Sequence, residues 1–478
     1  MKEGYIKQKD RKNILLLTDD IRVHSGVAQI GREIVTNTAH RYNWVQLAGA
    51  IQHPDKGQMQ DLSEDTNKRM GLKDSRVVLY PVDGYGEPKL LKEVIKKENI
   101  DALFIITDPR YFEWLFAIEN EIRTQIPIAY LNIWDDLPAP MYNKEFYNSC
   151  DALFGISKQT KNINEMVLGK ESKSKIIKYI PHGLNHHIFK SIDKDNEDLK
   201  NIQKHIAGDD KNKDKFTLFF NSRNIRRKCI PDTILAWKYF LDGLDKKDRD
   251  NCQFILHTNP VDDNGTDLPA VVKFLFPNKD GNVVISANKL STEQMSLLYN
   301  HADATILLSS AEGWGLSLTE SLLTGTPIIA NVTGGMQDQM RFEDENNNWY
   351  TPNPDVPSNH KKTYTKCGEW ALPVFPSNLS LVGSPRTPYI YDDRCSAEDA
   401  ALQIKAMYDM GKEERERIGK LGMEWALSDE AGFTSEKMSN KVIDGMDELF
   451  STWVPRKKFT FSSDKDAASR VLNHKLLY

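Results

Sequence analysis

Apolar positions along the first half of the chain gather into short continuous runs set between polar, helically periodic stretches. The runs 13–17, 76–80, 102–106, 127–133 and 152–156 are too short for helices and too continuous for half-exposed strands. They read as strands buried on both faces. Between them, Val27 to Thr36 sets Val27, Ile30, Ile34 and Val35 on one helical face, and Pro88 to Glu98 reads as a second helix. Ser157 is placed to cap a third. Strands alternating with helices over such a span predict a parallel sheet with covered faces.

The pattern pauses over 190–215, a stretch rich in Asp, Lys and Asn that reads as an exposed linker or surface helix. It then resumes with strands over 216–220, 254–258, 283–286, 304–308 and 327–330. Helices are expected over 231–240, 290–300, 318–324 and 397–410. The tail beyond Glu413 is helical, with Trp425, Phe433, Met438, Val442, Met446, Leu449 and Trp453 spaced for burial. Two α/β domains follow: 1–195, completed by a C-terminal helix within 430–478, and 216–429, joined by a linker at 196–215. An insertion at about 340–387 breaks the second. It carries Trp349, Tyr350, Tyr364 and Trp370, and strand character at Cys367 to Phe375. A loop that long is often functional; it reads either as a flap over the acceptor side of the cleft or as a structural ornament.

Composition narrows the classes. A chain of 478 residues is too long for one ordinary core. The absence of a long apolar run argues against a membrane-spanning helix. A charged N-terminus without the apolar centre of a signal peptide suits a cytoplasmic protein. So do five cysteines (Cys150, Cys229, Cys252, Cys367 and Cys395) in no metal-like spacing. The net charge of −5 gives no global pull towards nucleic acid. No basic stripe stands outside one loop, which makes DNA a poor partner.

Three places carry candidate chemistry. The first is Leu307 to Gly335: strand, loop, short helix, strand and a Gly334-Gly335 turn, a βαβ unit whose loop lies where such sheets bind ligands. Gly313 and Gly315 let backbone approach a ligand, and free N–H groups at a helix start favour an anion. Glu312 and Glu320 suit pairs of sugar hydroxyls. Glu312 also reads as a solvated loop acid. Ser317 and Glu320 also describe a capping box, with Glu320 reaching back to its own helix start. The second place is the basic run from Asn221 to Lys228 at a strand-to-helix turn, either a phosphate clamp or a solvated face. The third is Asp135 and Asp136, just past the carboxyl end of a strand, either ligand-side acids or a turn before Pro138. Gly26 lies in a similar loop after the first strand.

The segment Glu312-Gly-Trp-Gly-Leu-Ser-Leu-Thr-Glu320, followed by Gly325-Thr-Pro327, resembles the E-x7-E signature of the family 4 retaining glycosyltransferases, with Trp314 for the usual aromatic and Ser317 for the usual proline. His182-Gly-Leu-Asn with Phe189 is similar to the family's HGVDxxxF segment. Arg223 and Lys228 match the cations of its GRxxxxKG segment, with Ser222 in place of the first glycine. The resemblance covers nearly the whole chain except the insertion. It implies a GT-B fold: two Rossmann-like domains facing a cleft, the last helix crossing back to the first domain. It implies a nucleotide-diphosphate sugar as donor, a hydroxyl-bearing acceptor, retention of configuration, and neither metal nor separate cofactor. Glu320 would hold the ribose and Glu312 the donor-sugar hydroxyls, while Arg223 and Lys228 would hold the diphosphate. Gly313, Gly315, Leu316 and Ser317 would line the donor, with Gly26 beside the diphosphate. Asp135, with Asp136 in reserve, would stand near the transferred sugar. Two alternatives remain open, a glycan phosphorylase or hydrolase and a related enzyme acting on a polymer such as modified DNA.

Overall fold

The computed structural model describes residues 4–207 and 215–457; the linker stretch 208–214 and the tail 458–478 lie outside the described residues. The first sheet contains β1 (Lys12–Asp19), β2 (Tyr42–Gly49), β3 (Gln60–Asp61), β4 (Val77–Pro81), β5 (Ala102–Ile106), β6 (Ile128–Asn132), β7 (Ala152–Gly155) and β8 (Ile176–Tyr179). Their order is β3-β4-β2-β1-β5-β6-β7-β8. Every pair is parallel except the short β3 against β4. Successive side chains alternate between faces: Ile14 and Leu16 belong to one core, Leu15 and Leu17 to another, and all four are buried.

The strand β2 is not among the expected ones. Its polar Asn43 and Gln46 interrupt the apolar run, yet all eight of its residues are buried. Asn43 Nδ2 donates to the Gln8 carbonyl (3.0 Å) and to Asn13 Oδ1 (2.9 Å), and Gln46 Nε2 donates to the Asp19 carbonyl (2.7 Å). Amide N–H groups satisfied in this way cost little when buried, so a central strand tolerates them although Asn43 Oδ1 is left without a partner.

The second sheet contains β9 (Phe216–Asn221), β10 (Cys252–His257), β11 (Val283–Ser286), β12 (Ala304–Leu307), β13 (Ile328–Asn331) and β14 (Ala371–Val374), in the order β11-β10-β9-β12-β13-β14. All its pairs are parallel. The strand order reverses between β1 and β5 in the first sheet and between β9 and β12 in the second. Beyond the carboxyl ends at such a reversal lies the ligand crevice of an open α/β sheet.

The expected insertion resolves into three different pieces. The irregular stretch after Arg341 docks on the first sheet's helix Lys158–Leu168, where Lys158 Nζ stands 3.5 Å above the Trp349 ring. The strand character near Cys367 belongs to β14, which pairs with β13 and so is scaffold. The third piece is an antiparallel hairpin of β15 (Asn378–Ser384) and β16 (Thr387–Arg394). It does not end at residue 387, where the expected insertion stopped. It reaches across to the first sheet's loops instead. Tyr391 N donates to the Leu137 carbonyl (2.7 Å), Tyr142 OH donates to the Tyr389 carbonyl (2.9 Å), and Arg110 donates to the Arg386 carbonyl (3.0 Å).

The last described helix, Ser435–Thr452, crosses from the second sheet to the first. At the crossing Leu184 N donates to the Phe433 carbonyl (3.1 Å) and Ser435 N to the Leu184 carbonyl (2.9 Å). Further along, Asp447 accepts from Arg41 (2.6 Å) and from Tyr42 OH (2.8 Å). One apolar core therefore runs without a break from Ile14 and Phe104 through Phe154 and Met438 to Trp314, Leu218 and Ile306. Among the described residues no helix is long and apolar enough to cross a membrane.

Gly183 sits at this crossing, where a β-carbon would stand 2.1 Å from the Thr434 carbonyl oxygen. Gly183→Ala is expected to push the returning helix off the first sheet. The measurable outcome is a loss of about 2–4 kcal/mol in urea unfolding, as overpacking against backbone produces, whereas the same change at exposed Gly243, whose φ is −80° and whose added β-carbon would meet nothing nearer than 3.4 Å, stays within about 1 kcal/mol.

Candidate active site

The loops after β9 and β12 face each other across the reversal of the second sheet. They are tied by the Ser310 N–H, which donates to the Arg227 carbonyl (2.8 Å). Glu312 lies between them with only 8% of its surface exposed. Its Oε2 accepts from Arg227 Nη1 at 3.0 Å and directly from Lys228 Nζ. Arg227 Nη1 also donates to the Ala311 carbonyl (2.6 Å). Burial alone would raise the Glu312 pKa, but the two cations outweigh it and hold the carboxyl down near 2. A fixed carboxylate therefore stands beside two cations, and a solvated loop acid is excluded for this residue.

Tight backbone contact brings the first sheet to this cluster. A β-carbon on Gly334, whose φ is +51°, would lie 1.9 Å from the Glu312 carbonyl oxygen and 2.7 Å from that of Asp135. One on Gly313 would lie 2.7 Å from the Ile133 carbonyl oxygen. Only glycine allows these approaches. Across the same seam, Gly26 opens the helix Gly26–Thr38 behind its cap Ser25 and faces Leu316, whose side chain would be 3.2 Å from an added β-carbon.

Asp135 is partly exposed and points Oδ2 towards Arg227 Nε, 3.9 Å away. Burial raises its pKa against the pull of Arg227. Asp136 turns the other way and is fully buried. It accepts from Leu137 N (2.7 Å), Gln159 Nε2 (3.0 Å) and Thr333 Oγ1 (3.0 Å). Of the two acids, Asp135 is the one that meets the Glu312 cluster.

The capping-box reading of Glu320 does not hold. The helix begins at Leu316, two residues earlier than expected. Gly315 is its N-cap with φ +86°, so Ser317 lies inside the first turn and does not cap. Glu320 turns away from its helix start. Its Oε2 accepts from Tyr299 OH (2.6 Å) and Asn221 Nδ2 (3.2 Å). Burial lifts its pKa to about 7, with those two donors holding it back.

The remaining candidates divide. Lys228, Gly313, Gly315, Leu316 and Ser317 lie in or beside the seam. Arg223 does not join them: it is largely exposed and pairs with Asp262 (3.1 Å). Arg227, which the motif left as an extra cation, takes the place on Glu312. Tyr299 and Asn221 had no signal in the sequence, because each is a common residue near the end of its element and distant along the chain. His182 is buried edge-on to Trp314 (6.0 Å), and burial pushes its pKa down to about 3, so it is a neutral packing residue here.

With this geometry in hand, comparison with known proteins is informative. Residues 278–362 match the model of the family described as glycosyl transferases group 1. That span covers Glu312, Glu320 and the glycine loop. Among curated proteins none matches the chain. Solved structures do. A glycosyltransferase from Rickettsia africae ESF-5 superposes with TM-score 0.62 at 15% identity, over 93% of this chain and 100% of that one. Sucrose-phosphate synthase from Thermosynechococcus elongatus gives 0.64 at 14% identity, over 92% and 100%. Anabaena Alr3699/HepE, solved in complex with UDP and glucose, gives 0.60 at 13% identity, over 92% and 100%. The fold is thus GT-B, as the motifs implied.

Two outcomes follow from the cluster's electrostatics. Glu312→Gln leaves Arg227 and Lys228 facing each other without their carboxylate, and is expected to cost about 2–4 kcal/mol in urea unfolding at pH 7. Glu320 behaves oppositely. Its folded pKa of about 7 lies above its ordinary value of 4.5, so its contribution is full below about pH 4.5 and is lost as pH rises through 7. Unfolding at pH 5 and pH 8 is therefore expected to show wild type losing on the order of 2 kcal/mol relative to Glu320→Gln.

Proposed function

We propose that this protein is a retaining glycosyltransferase that moves a hexose from a nucleoside diphosphate, UDP before GDP, to a hydroxyl acceptor. The observation that carries the reading is the Glu312–Arg227–Lys228 cluster at the reversal of the second sheet, with Asp135 of the first sheet at its edge. The group 1 family match over the same segment supports it, and the likeness to a structure holding UDP and glucose favours a uridine nucleotide.

In this reading Glu320 accepts from the ribose hydroxyls. Its partners Tyr299 and Asn221 hold the carboxyl side-on and leave the helix start free for phosphate. Glu312 is held ionised and accepts from donor-sugar hydroxyls next to the anomeric carbon. Arg227 and Lys228, with Arg223 swinging from Asp262, meet the diphosphate. The bond between the anomeric carbon and the phosphate oxygen breaks as the acceptor oxygen attacks from the same face. The acceptor proton passes to the departing phosphate oxygen, and the nucleoside diphosphate leaves. The two cations stand where negative charge grows, where preorganised charge lowers a barrier most. Asp135 orients the acceptor hydroxyl. The hairpin of β15 and β16, bonded to the loop 137–142, covers the acceptor side.

Calorimetry with UDP-glucose, GDP-mannose and the free diphosphates tests the donor assignment. One nucleotide is expected to bind, and Glu320→Ala to weaken it by about 1–3 kcal/mol. Lys228→Ala is expected to keep binding within about tenfold while lowering turnover or donor hydrolysis by about 10²–10³. Proton NMR of the first product formed then reads the anomer. An inverted product removes the retaining assignment, and a panel without any binder removes the reading altogether.

A further inference from the structure

Beneath the seam lies a second buried cluster that the transfer reaction does not use. Asp136 comes from the loop after β6, Asp393 from β16, and His360 from the irregular stretch that docks on the first sheet. One ligand-type atom from each lies within 4.8 Å of the other two, and all three residues are at least nine-tenths buried. His360 Nδ1 stands 3.3 Å from Asp393 Oδ2. Two donors on one tetrahedral zinc, each at about 2.1 Å, keep a separation of about 3.4 Å.

The hydrogen bonding of this cluster does not close with the groups present. Thr333 Oγ1 lies 3.0 Å from Asp136 Oδ2 and 2.7 Å from Asp393 Oδ2. A hydroxyl has one proton and serves only one of them. Asp393 Oδ1 and His360 Nδ1 have no hydrogen-bond partner although both are buried. The same holds for Ser309 Oγ and Asn331 Oδ1. These two adjoin the site, since Asn331 Nδ2 donates to the Asp393 carbonyl (2.7 Å) and the Ser309 carbonyl (2.8 Å). Among the described residues no lysine or arginine pairs with either acid. Two carboxyls and an imidazole face one another with no lysine or arginine among those residues to neutralise them, and a bound cation would do so. A proton shared by the acids would satisfy the carboxyls and leave His360 without a role. A divalent ion uses all three, and imidazole with carboxylates is a zinc-type donor set.

We propose that Asp136, His360 and Asp393 bind one divalent cation, zinc by ligand preference, that staples the hairpin and the docked stretch to the first sheet. The ion holds three segments remote in sequence and lies one residue from Asp135, so it fixes the acceptor-side wall and takes no part in the transfer. The site stands on its own geometry and does not depend on the donor assignment.

The test uses the full chain, stripped with EDTA, dialysed and returned to Zn²⁺. Mass-spectrometric metal analysis is expected to find one equivalent per chain after desalting, with the unfolding midpoint raised by about 5 °C. Asp393→Asn and His360→Gln are expected to lose that equivalent. The double change His186→Ala with His187→Ala removes a half-buried and an exposed histidine away from the cluster and is expected to keep it. Should the ligand variants fold poorly, Co²⁺ bound to the wild type decides: weak visible bands of oxygen and nitrogen ligation support the site, and an intense thiolate band overturns it. Less than a tenth of an equivalent in wild type, with a midpoint indifferent to Zn²⁺ and EDTA, also overturns it and leaves the acid pair sharing a proton.

Discussion

The ionised carboxylate of Glu312 between Arg227 and Lys228 is the interaction on which the meeting of the second sheet's two loops depends. Either cation placed there alone would face a low-dielectric wall, and the carboxylate without them would neutralise. Together they hold the loop after β9 against the loop after β12, so the mouth of the second sheet has one shape. Ser310 reinforces this through the Arg227 carbonyl. The cluster also keeps two positive charges aimed at the crevice without the disorder of long side chains in water, the condition under which charge is useful to a reaction.

The first sheet meets that mouth through backbone. Gly313 and Gly334 lie against the Ile133 and Asp135 carbonyls of the first domain, where a β-carbon would not fit. The returning helix and the shared apolar core carry the same two bodies from the far side. Hairpin, docked stretch and returning helix are three independent ties between the sheets. This arrangement places Asp135 near Arg227 and leaves Asp136 to bond downwards. Adjacent acids thereby acquire different work: one faces the crevice, the other faces His360 and Asp393.

Much of this was legible in the residues. Continuous apolar runs and glycine-bearing turns announce parallel strands and their loops because burial on both faces leaves no polar alternation. The E-x7-E spacing marked Glu312 and Glu320 together, and the family match over 278–362 spans both. What escaped was whatever depended on partners distant along the chain. The strand β2 looked too polar until Asn13 and Asp19 supplied its amides with partners. Glu320 fitted a capping box until Gly315 took the N-cap and Tyr299 the carboxylate. The motif singled out Arg223 and not Arg227 because the spacing of a motif does not say which way a side chain turns.

The return of the last helix was implied only by the family resemblance, whereas the sequence by itself determined the α/β class, the two parallel sheets and their glycine-bearing loops. These follow from local hydrophobic period and from residues whose backbone freedom is intrinsic. Only the tertiary structure decided which of two neighbouring acids faces the crevice, which cation grips Glu312, and that residues 136, 360 and 393 meet in one buried place. Those choices depend on electrostatics and hydrogen bonding between segments far apart along the chain. No local pattern encodes such contacts, because burial and partner are created only when the sheets close on each other.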